Sequence, residues 1–471
     1  METVHILHTN DIHSHLENWP RISQFLQQKR YAYETQKETI FSFDIGDACD
    51  RVHPLTEATE GQAITRLLNE GKYDAVTIGN NEGIGSTKAQ LNQLYDDARY
   101  PVLISNLIDK ETGRIPPWAK AFKILHTKEG NKIGIFALTF PLNMSYEPLG
   151  WKVMDPMKVT ERLIDQFETT VDTFILLSHL GLPYDRKIAE HFPEISVIMG
   201  GHTHHVLENG EVHNQTLLTA GGKFGYYVGE ITLTFQNHAV VAATAQLHPT
   251  AKLEPVYHEK ELVRKYIQLG HELLQEQKIA FVPETFQVKW KEPSEFVSLG
   301  LKAVKAYAKT DAAILNAGLF VQPLLQGIVT RDELHQALPH PMRTVRCTIS
   351  GENLPYLMKQ LESKRDEMRS LAIKGIGFRG KIFGELCYDG LEWDSNTEEV
   401  KVNGKTVLPD ETITFVTVDY FIFSKWFPLI EELGEIEILF PFFLRSVVQF
   451  YLAEHYPLMK KKGNTHDKSR R

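Results

Sequence analysis

Val4-His5-Ile6-Leu7-His8 followed by Thr9-Asn10-Asp11-Ile12-His13-Ser14-His15 is an apolar run that ends in a cluster of side chains able to bind a cation. The run reads as a buried strand. The Asp11 carboxylate and the His13 imidazole stand two residues apart just past its C-terminal end, where one hard cation can take both. A single D-x-H is more often a capped turn than a metal site. Recurrence is what gives this one weight. Thr39 to Phe43 reads as a strand running into Asp44-Ile45-Gly46-Asp47, where the glycine lets the backbone turn sharply before the acid. In the same way Tyr73 to Ile78 leads to Gly79-Asn80-Asn81-Glu82-Gly83, and Val171 to Leu177 leads to Ser178-His179-Leu180-Gly181. Ile195 to Met199 leads to Gly200-Gly201-His202-Thr203-His204-His205.

Helical spacing at Ile22 to Arg30 and Gln62 to Leu68 alternates with these strands. Apolar runs at Pro101 to Ile104 and Lys132 to Leu138 suit strands buried on both faces. The alternation predicts an α/β domain over residues 1–250, closed by a hairpin of Gly229 to Phe235 with Val240 to Leu247. A charged amphipathic helix, Tyr257 to Ile279, is expected to form a linker over 251–283. An α+β domain over 284–459 follows, with helices at Phe296 to Lys309 and Leu354 to Met368 and strands at Ala312 to Leu315, Thr344 to Ile349 and Thr412 to Thr417. A basic tail, 460–471, ends the chain.

At 471 residues the chain exceeds one typical core, and its net charge of −9 argues against duplex nucleic acid as a partner. Cys49, Cys347 and Cys387 stand far apart, forming neither a zinc knuckle nor a disulfide framework, which suits a reducing compartment. No basic and apolar leader precedes the first strand. The longest apolar run, near Ile436 to Leu444, is broken by Glu437 and Pro441 and is far too short for a membrane span. A cytoplasmic protein with no membrane or nucleic-acid partner is expected.

The strand-end residues Asp11, His13, Asp47, Asn80, His179, His202 and His204 form a donor set too large for one zinc and suited to two divalent ions. Carboxylate, amide and imidazole without thiolate point to manganese, zinc, iron or cobalt.

The order D-x-H, G-D, G-N-x-E, S-H-L-G and G-G-H-T-H resembles the dinuclear metallophosphoesterases and, within them, the 5′-nucleotidase family. Gly61-Gln62, Leu68-Asn69 and Tyr73-Asp74-Ala75 extend the likeness, which spans nearly the whole chain and is most similar to a cytoplasmic bacterial subgroup. The resemblance implies a four-layer αββα sandwich with a C-terminal α+β substrate domain. It implies hydrolysis of a small phosphate ester, a nucleotide or a related phosphate or pyrophosphate compound, by a hydroxide bridging two ions. Residue by residue it implies Asp11, His13 and His204 on one ion, Asn80, His179 and His202 on the other, and Asp47 between them.

Two departures stand out. The family's catalytic histidine is replaced by Asn81, which can donate a hydrogen bond but cannot deliver a proton, a loss worth about 10²–10⁴-fold. A good leaving group is therefore expected in the substrate, and His15, His53 and His205 are the candidates to stand in. The family's substrate arginine is missing from Asn316-Ala317-Gly318-Leu319-Phe320-Val321, so Arg343, Arg346 or Arg379 is expected to compensate. Phe378 with Tyr420 or Phe421 falls where the family stacks a base. The competing expectation is a weakly active or inactive, metal-bearing nucleotide sensor.

Overall fold

The strand Glu2–Thr9 lies in the middle of a seven-stranded sheet, between Tyr227–Gln236 and Thr39–Asp44. Pairing is antiparallel on the first side and parallel on the second, where Ala75–Val76, Val102–Leu103 and Ala119–Lys120 continue the sheet. A six-stranded sheet is built around Lys132–Thr139, Thr173–His179 and Ile195–Gly200, all parallel. The computed structural model describes residues 1–373, 375 and 377–458. The basic tail lies outside the described residues.

The two-residue period of the strands decides which faces meet. Val4, Ile6, Phe41 and Phe43 of the first sheet pack against Ile133, Ile135, Ile175, Leu177, Val197 and Met199 of the second in one core. The intervening Phe136, Leu138, Phe174, Leu176 and Ile198 face outward onto Val159 and Leu163 of helix Pro156–Phe167 and Ile188 of helix Leu182–His191. Beyond the first sheet, helix Trp19–Thr35 buries Trp19, Ile22 and Leu26 and reaches Ser42 through Arg30. The result is an αββα sandwich, as the motif order implies.

Register then sets where the loops emerge. Thr9 pairs with Asp44 and Asp44 with Val76, so three parallel strands of the first sheet end level. In the second sheet Ser178 pairs with Gly200 and His179 with Thr139. The polar loops therefore leave from C-terminal strand ends, where open α/β sheets hold their ligands.

The chain divides into two compact units, Met1–His271 and Glu272 onward. Helix Glu259–Gln275 is shorter than its predicted span, and Lys278–Val282 pairs as a strand with Gly327–Thr330. A short apolar run beside an amphipathic helix does not reveal by period alone where one ends and the other starts. The second unit is a five-stranded sheet, ordered Leu386–Asp389, Ala312–Asn316, Thr412–Val418, Arg343–Ser350 and Gly434–Phe443. Helices Glu295–Ala308, Leu354–Met368 and Leu444–His455 share its core. The apolar run near Ile436 is thus an edge strand. Among the described residues no helix is long and apolar enough to cross a membrane.

His8 is fully buried opposite Gly229, and burial pushes its ring down to about 4 from 6.5. Between those values the unfolded chain binds a proton that the folded chain does not, so this group removes stability as pH falls, by about 3 kcal/mol at most. His8→Leu carries no such proton. The difference in unfolding free energy between wild type and His8→Leu, followed by urea titration from pH 7.5 to pH 4, is expected to fall against the wild type by that order. A difference that stays flat would show that the ring is not held neutral in the fold.

Candidate metal centre

The loops after Glu2–Thr9 and Thr39–Asp44 continue the strand pairing beyond the sheet. Ile45 N–H donates to Thr9 O at 2.9 Å, Asp11 N–H to Gly46 O at 3.0 Å and His13 N–H to Asp47 O at 2.9 Å. These bonds hold backbone that side chains disfavour. Asp11 (φ 50°), His13 (49°), Asp47 (51°), His202 (70°) and His204 (56°) are all left-handed. Each such residue costs on the order of 1–2 kcal/mol, a load that concentrates at functional sites. Two glycines make the approach possible. A Cβ on Gly79 would strike the Asp47 carboxylate and the His179 ring, and one on Gly46 (φ 88°) would strike the backbone of Gly79.

The seven predicted side chains converge. Nε2 of His13 lies 3.1 Å from Nε2 of His204 and 3.6 Å from Asp11 Oδ1, and His204 Nε2 is 3.3 Å from the same oxygen. His179 Nε2 stands 3.4 Å from Asp47 Oδ2 and 4.0 Å from Asp11 Oδ1. Asp47 Oδ2 is also 3.9 Å from His13. Asn80 Oδ1 and His202 Nδ1 meet at 2.8 Å. Two groups of potential ligand atoms result, Asp11 with His13 and His204, and Asp11 with Asp47 and His179.

Charge and tautomer fit a cation. His179 Nδ1 donates to Ile45 O at 2.8 Å, which leaves Nε2, fully buried and without a hydrogen-bond partner among the described residues, facing two carboxylates. Burial alone would depress this ring, but the charge and hydrogen bond of Asp47, the Asp11 charge and the Ile45 carbonyl together outweigh it and push it up to about 10. The position therefore attracts a positive charge, whether proton or metal ion. Burial would likewise raise Asp11, yet the His13 and His204 rings hold its carboxyl well below the usual range. His202 goes the other way: burial and then the His179 charge lower it to about 4, so its ring stays neutral. Cys49 is no nucleophile, because burial raises its thiol well above the ordinary value.

Several residues that motif reading left without a role shape the site. Asn10 Nδ2 donates to Asp11 Oδ2 at 2.7 Å, and the His202 N–H donates to both Asp11 oxygens at 3.1 and 3.2 Å. The buried Glu82 carboxylate accepts from the N–H groups of Asp47 (3.0 Å), Cys49 (2.8 Å) and Gly79 (2.9 Å), tying the Asp47 loop to the start of helix Asn80–Gly85. Phe140 stacks on His202 at 4.7 Å. Asn10 and Glu82 lie inside the quoted motifs; Phe140 carries no sequence signal. Of the histidines expected to replace the family's acid, His15 contacts Glu17 and lies tilted against the Phe224 ring, His53 caps helix Pro54–Ala58, and His205 contacts Thr203.

The predicted substrate residues lie in the second unit. Phe378 and Tyr420 are 4% and 0% exposed, with their rings 5.5 Å apart. Phe421 is buried and stacked on Phe427 at 5.3 Å. Arg343 lies between the rings of Phe440 and Phe443, each 4.5 Å away. Arg346 binds Glu437 and the Ala308 carbonyl. Arg379 donates its backbone N–H to His340 Nδ1 at 2.9 Å.

A sheet-on-sheet sandwich whose strand ends gather carboxylates and imidazoles around sites for cations defines a metal-dependent hydrolase. Comparison with known proteins gives its family. Residues 4–206 match the calcineurin-like phosphoesterases, and residues 278–427 match the C-terminal domain of 5′-nucleotidases. The metallophosphoesterase YunD of Bacillus subtilis is 37% identical over 464 residues, which is 96% of this chain and 100% of that protein. The chain belongs to the calcineurin-like metallophosphoesterases with a 5′-nucleotidase C-terminal domain, and it is a phosphoester hydrolase. Members of this family use a pair of divalent metal ions. The fold is shared with the NAD nucleotidase NadN of Haemophilus influenzae (TM-score 0.64, 16% identity, 96% of both chains). It is also shared with a 5′-nucleotidase precursor from Thermus thermophilus (TM-score 0.57, 20% identity, 96% of both chains).

Glu82→Gln places an amide N–H against backbone donors. It is expected to destabilise the first unit by about 1–3 kcal/mol in chemical denaturation and to weaken manganese binding. Phe378→Ala is expected to cost about 3–5 kcal/mol of stability, as for a core aromatic. A stable Phe378→Ala protein with only a raised KM would instead mark this ring as a substrate contact.

Proposed function

We propose that the protein hydrolyses a nucleotide, or a related phosphate or pyrophosphate compound, at a centre built on Asp11, His13, Asp47, Asn80, His179, His202 and His204. The observation that carries this reading is the place of Asp47, whose Oδ2 faces His179 on one side and His13 on the other. Asp11, His13 and His204 would hold one ion and Asn80, His179 and His202 the second, with Asp47 shared between them. A bound divalent pair of this kind supplies Lewis acidity, activating water for in-line attack and neutralising phosphoryl charge.

The chain's own groups do the positioning. Asn10 and the His202 N–H aim Asp11, Glu82 fixes the loop that presents Asp47, and the Ile45 carbonyl sets the His179 tautomer. No serine or cysteine nucleophile is needed, so a covalent phosphoryl enzyme is not part of the reaction. Because Asn81 cannot deliver a proton, the substrates served best are those whose leaving group departs as a stable anion. The match to a 5′-nucleotidase C-terminal domain supports a nucleotide as the substrate class. Manganese, zinc, cobalt and iron all suit the donor set. Nothing in the site or among the relatives favours the silent sensor.

Purified protein supplied with manganese, cobalt or zinc is expected to release phosphate from at least one class among nucleoside mono-, di- and cyclic phosphates and nucleotide sugars, and from an activated aryl phosphate. Chelation should abolish turnover. Asp47→Asn and His202→Ala should each lower kcat/KM by more than the roughly 10–100-fold typical of losing an outer partner of a ligand. Full turnover in either variant, or no phosphate release from any substrate with any metal, would sink the reading.

A further inference from the structure

We infer that Asn81, standing where the resembled family has a histidine, is a positioning residue of the metal centre whose amide steadies the His13 ring and does not contact the substrate. This rests on the proposed function, since it takes His13 as a ligand. The backbone N–H of Asn81 donates to Asp47 Oδ1 at 2.7 Å. Its Nδ2 donates to the Cys49 carbonyl at 2.9 Å and lies 2.9 Å from His13 Nδ1, and its Oδ1 accepts from Asn80 Nδ2 at 3.2 Å. Three of the seven proposed ligand residues, His13, Asp47 and Asn80, are thus touched by one side chain and its backbone.

The orientation of the amide follows from its unambiguous partners. The Cys49 carbonyl can only accept and the Asn80 Nδ2 can only donate, so Nδ2 faces the ring. In this orientation both amide protons are engaged inside the centre. When the ring carries its proton on Nδ1, as it must with Nε2 on an ion, the amide has to turn over so that Oδ1 accepts that proton, and it then gives up its bond to the Cys49 carbonyl and the bond from Asn80 Nδ2. An amide serves either form of the ring, which an aliphatic side chain cannot. Apart from the contacts of its Nε2 with His204, Asp11 and Asp47, the His13 ring meets the edge-on rings of His204 and Phe224, centred 5.2 and 5.8 Å away, and none of these engages Nδ1. A hydrogen-bond partner on the far nitrogen of a ligating histidine sets ring orientation and ligand basicity.

The test is manganese binding to the metal-stripped full-length chain, measured by calorimetry on wild type, Asn81→Ala and Asn81→Asp, each first shown to be folded by circular dichroism. Wild type is expected to take two ions. Asn81→Ala should bind one of them within twofold of wild type and the other about 10–100-fold more weakly. Excess manganese should restore most of its turnover, and the visible spectrum of the cobalt-loaded variant should change for one ion only. Asn81→Asp keeps an oxygen for Nδ1–H and should recover most of the lost affinity. If Asn81→Ala binds both ions as wild type does while turnover falls and no added metal restores it, Asn81 acts on the substrate and the inference is overturned. A wild type that takes fewer than two ions overturns the metal-centre reading itself.

Discussion

Two carboxylates, Asp11 and Asp47, are buried almost completely where the two sheets deliver their loops, and the rest of the site answers to that fact. A buried carboxylate is costly unless hydrogen bonds and positive charge surround it. Here the answer is graded. Around Asp11 and Asp47 stand N–H groups and the rings of His13, His179 and His204, and both carboxyls are held below their ordinary values despite burial. Set further back, Asp44 and Asp185 have only a few hydroxyl and N–H partners, and burial pushes both up to about 7. Firmly held negative charge is thus confined to the acids that face the imidazoles. Glu82 lies between these cases: burial and then the Asp47 charge raise it, while it accepts three backbone N–H groups.

That confinement depends on backbone geometry more than on side-chain choice. The ladder between the first two parallel strands does not stop at Thr9 and Asp44 but runs on through Asp11 and His13. Because those bonds continue, residues in left-handed conformation are held by the same interaction that forms the sheet. The strain of the ligand loops is therefore offset locally. Gly46 and Gly79 supply the close approach that lets the second and third loops nest. An alanine at either place would push apart the elements that present Asp47 and Asn80.

The parts legible in the sequence are those with a local signature. A strand followed at once by polar residues is visible in one dimension, and the side chains of the seven residues singled out that way come together in three. The alternation of strands and helices likewise gives the α/β sandwich, but not which face of a strand meets the other sheet, because strands such as Lys132–Thr139 and Thr173–His179 are apolar on both faces. Partners set by distant pairing are less visible. Phe140 reaches His202 across the fold, and the bonds of Glu82 to the N–H groups of Asp47 and Cys49 follow from how two loops nest, which no spacing rule encodes. The second unit is harder still. An aromatic that stacks a ligand and one that fills a core have the same sequence signature, and Phe378, Tyr420 and Phe421 are packed among neighbouring rings. Arg346, read as a substitute phosphate contact, donates to Glu437 and to the Ala308 carbonyl, partners that lie far from it in sequence.

The substitution at residue 81 also bears on which bonds such a centre can break. In-line displacement at phosphorus ends with an oxygen that must leave with the electron pair. A sugar alkoxide is strongly basic and leaves well only if a proton reaches it, whereas a phosphate group, with a second pKa of about 6, leaves as an anion at neutral pH. An amide cannot deliver a proton, so it offers the first kind no help, and the second kind needs none. Restoring a proton donor at residue 81 would require giving up at least one of the bonds to Cys49, Asn80 and His13, so ligand positioning and leaving-group assistance compete for a single side chain.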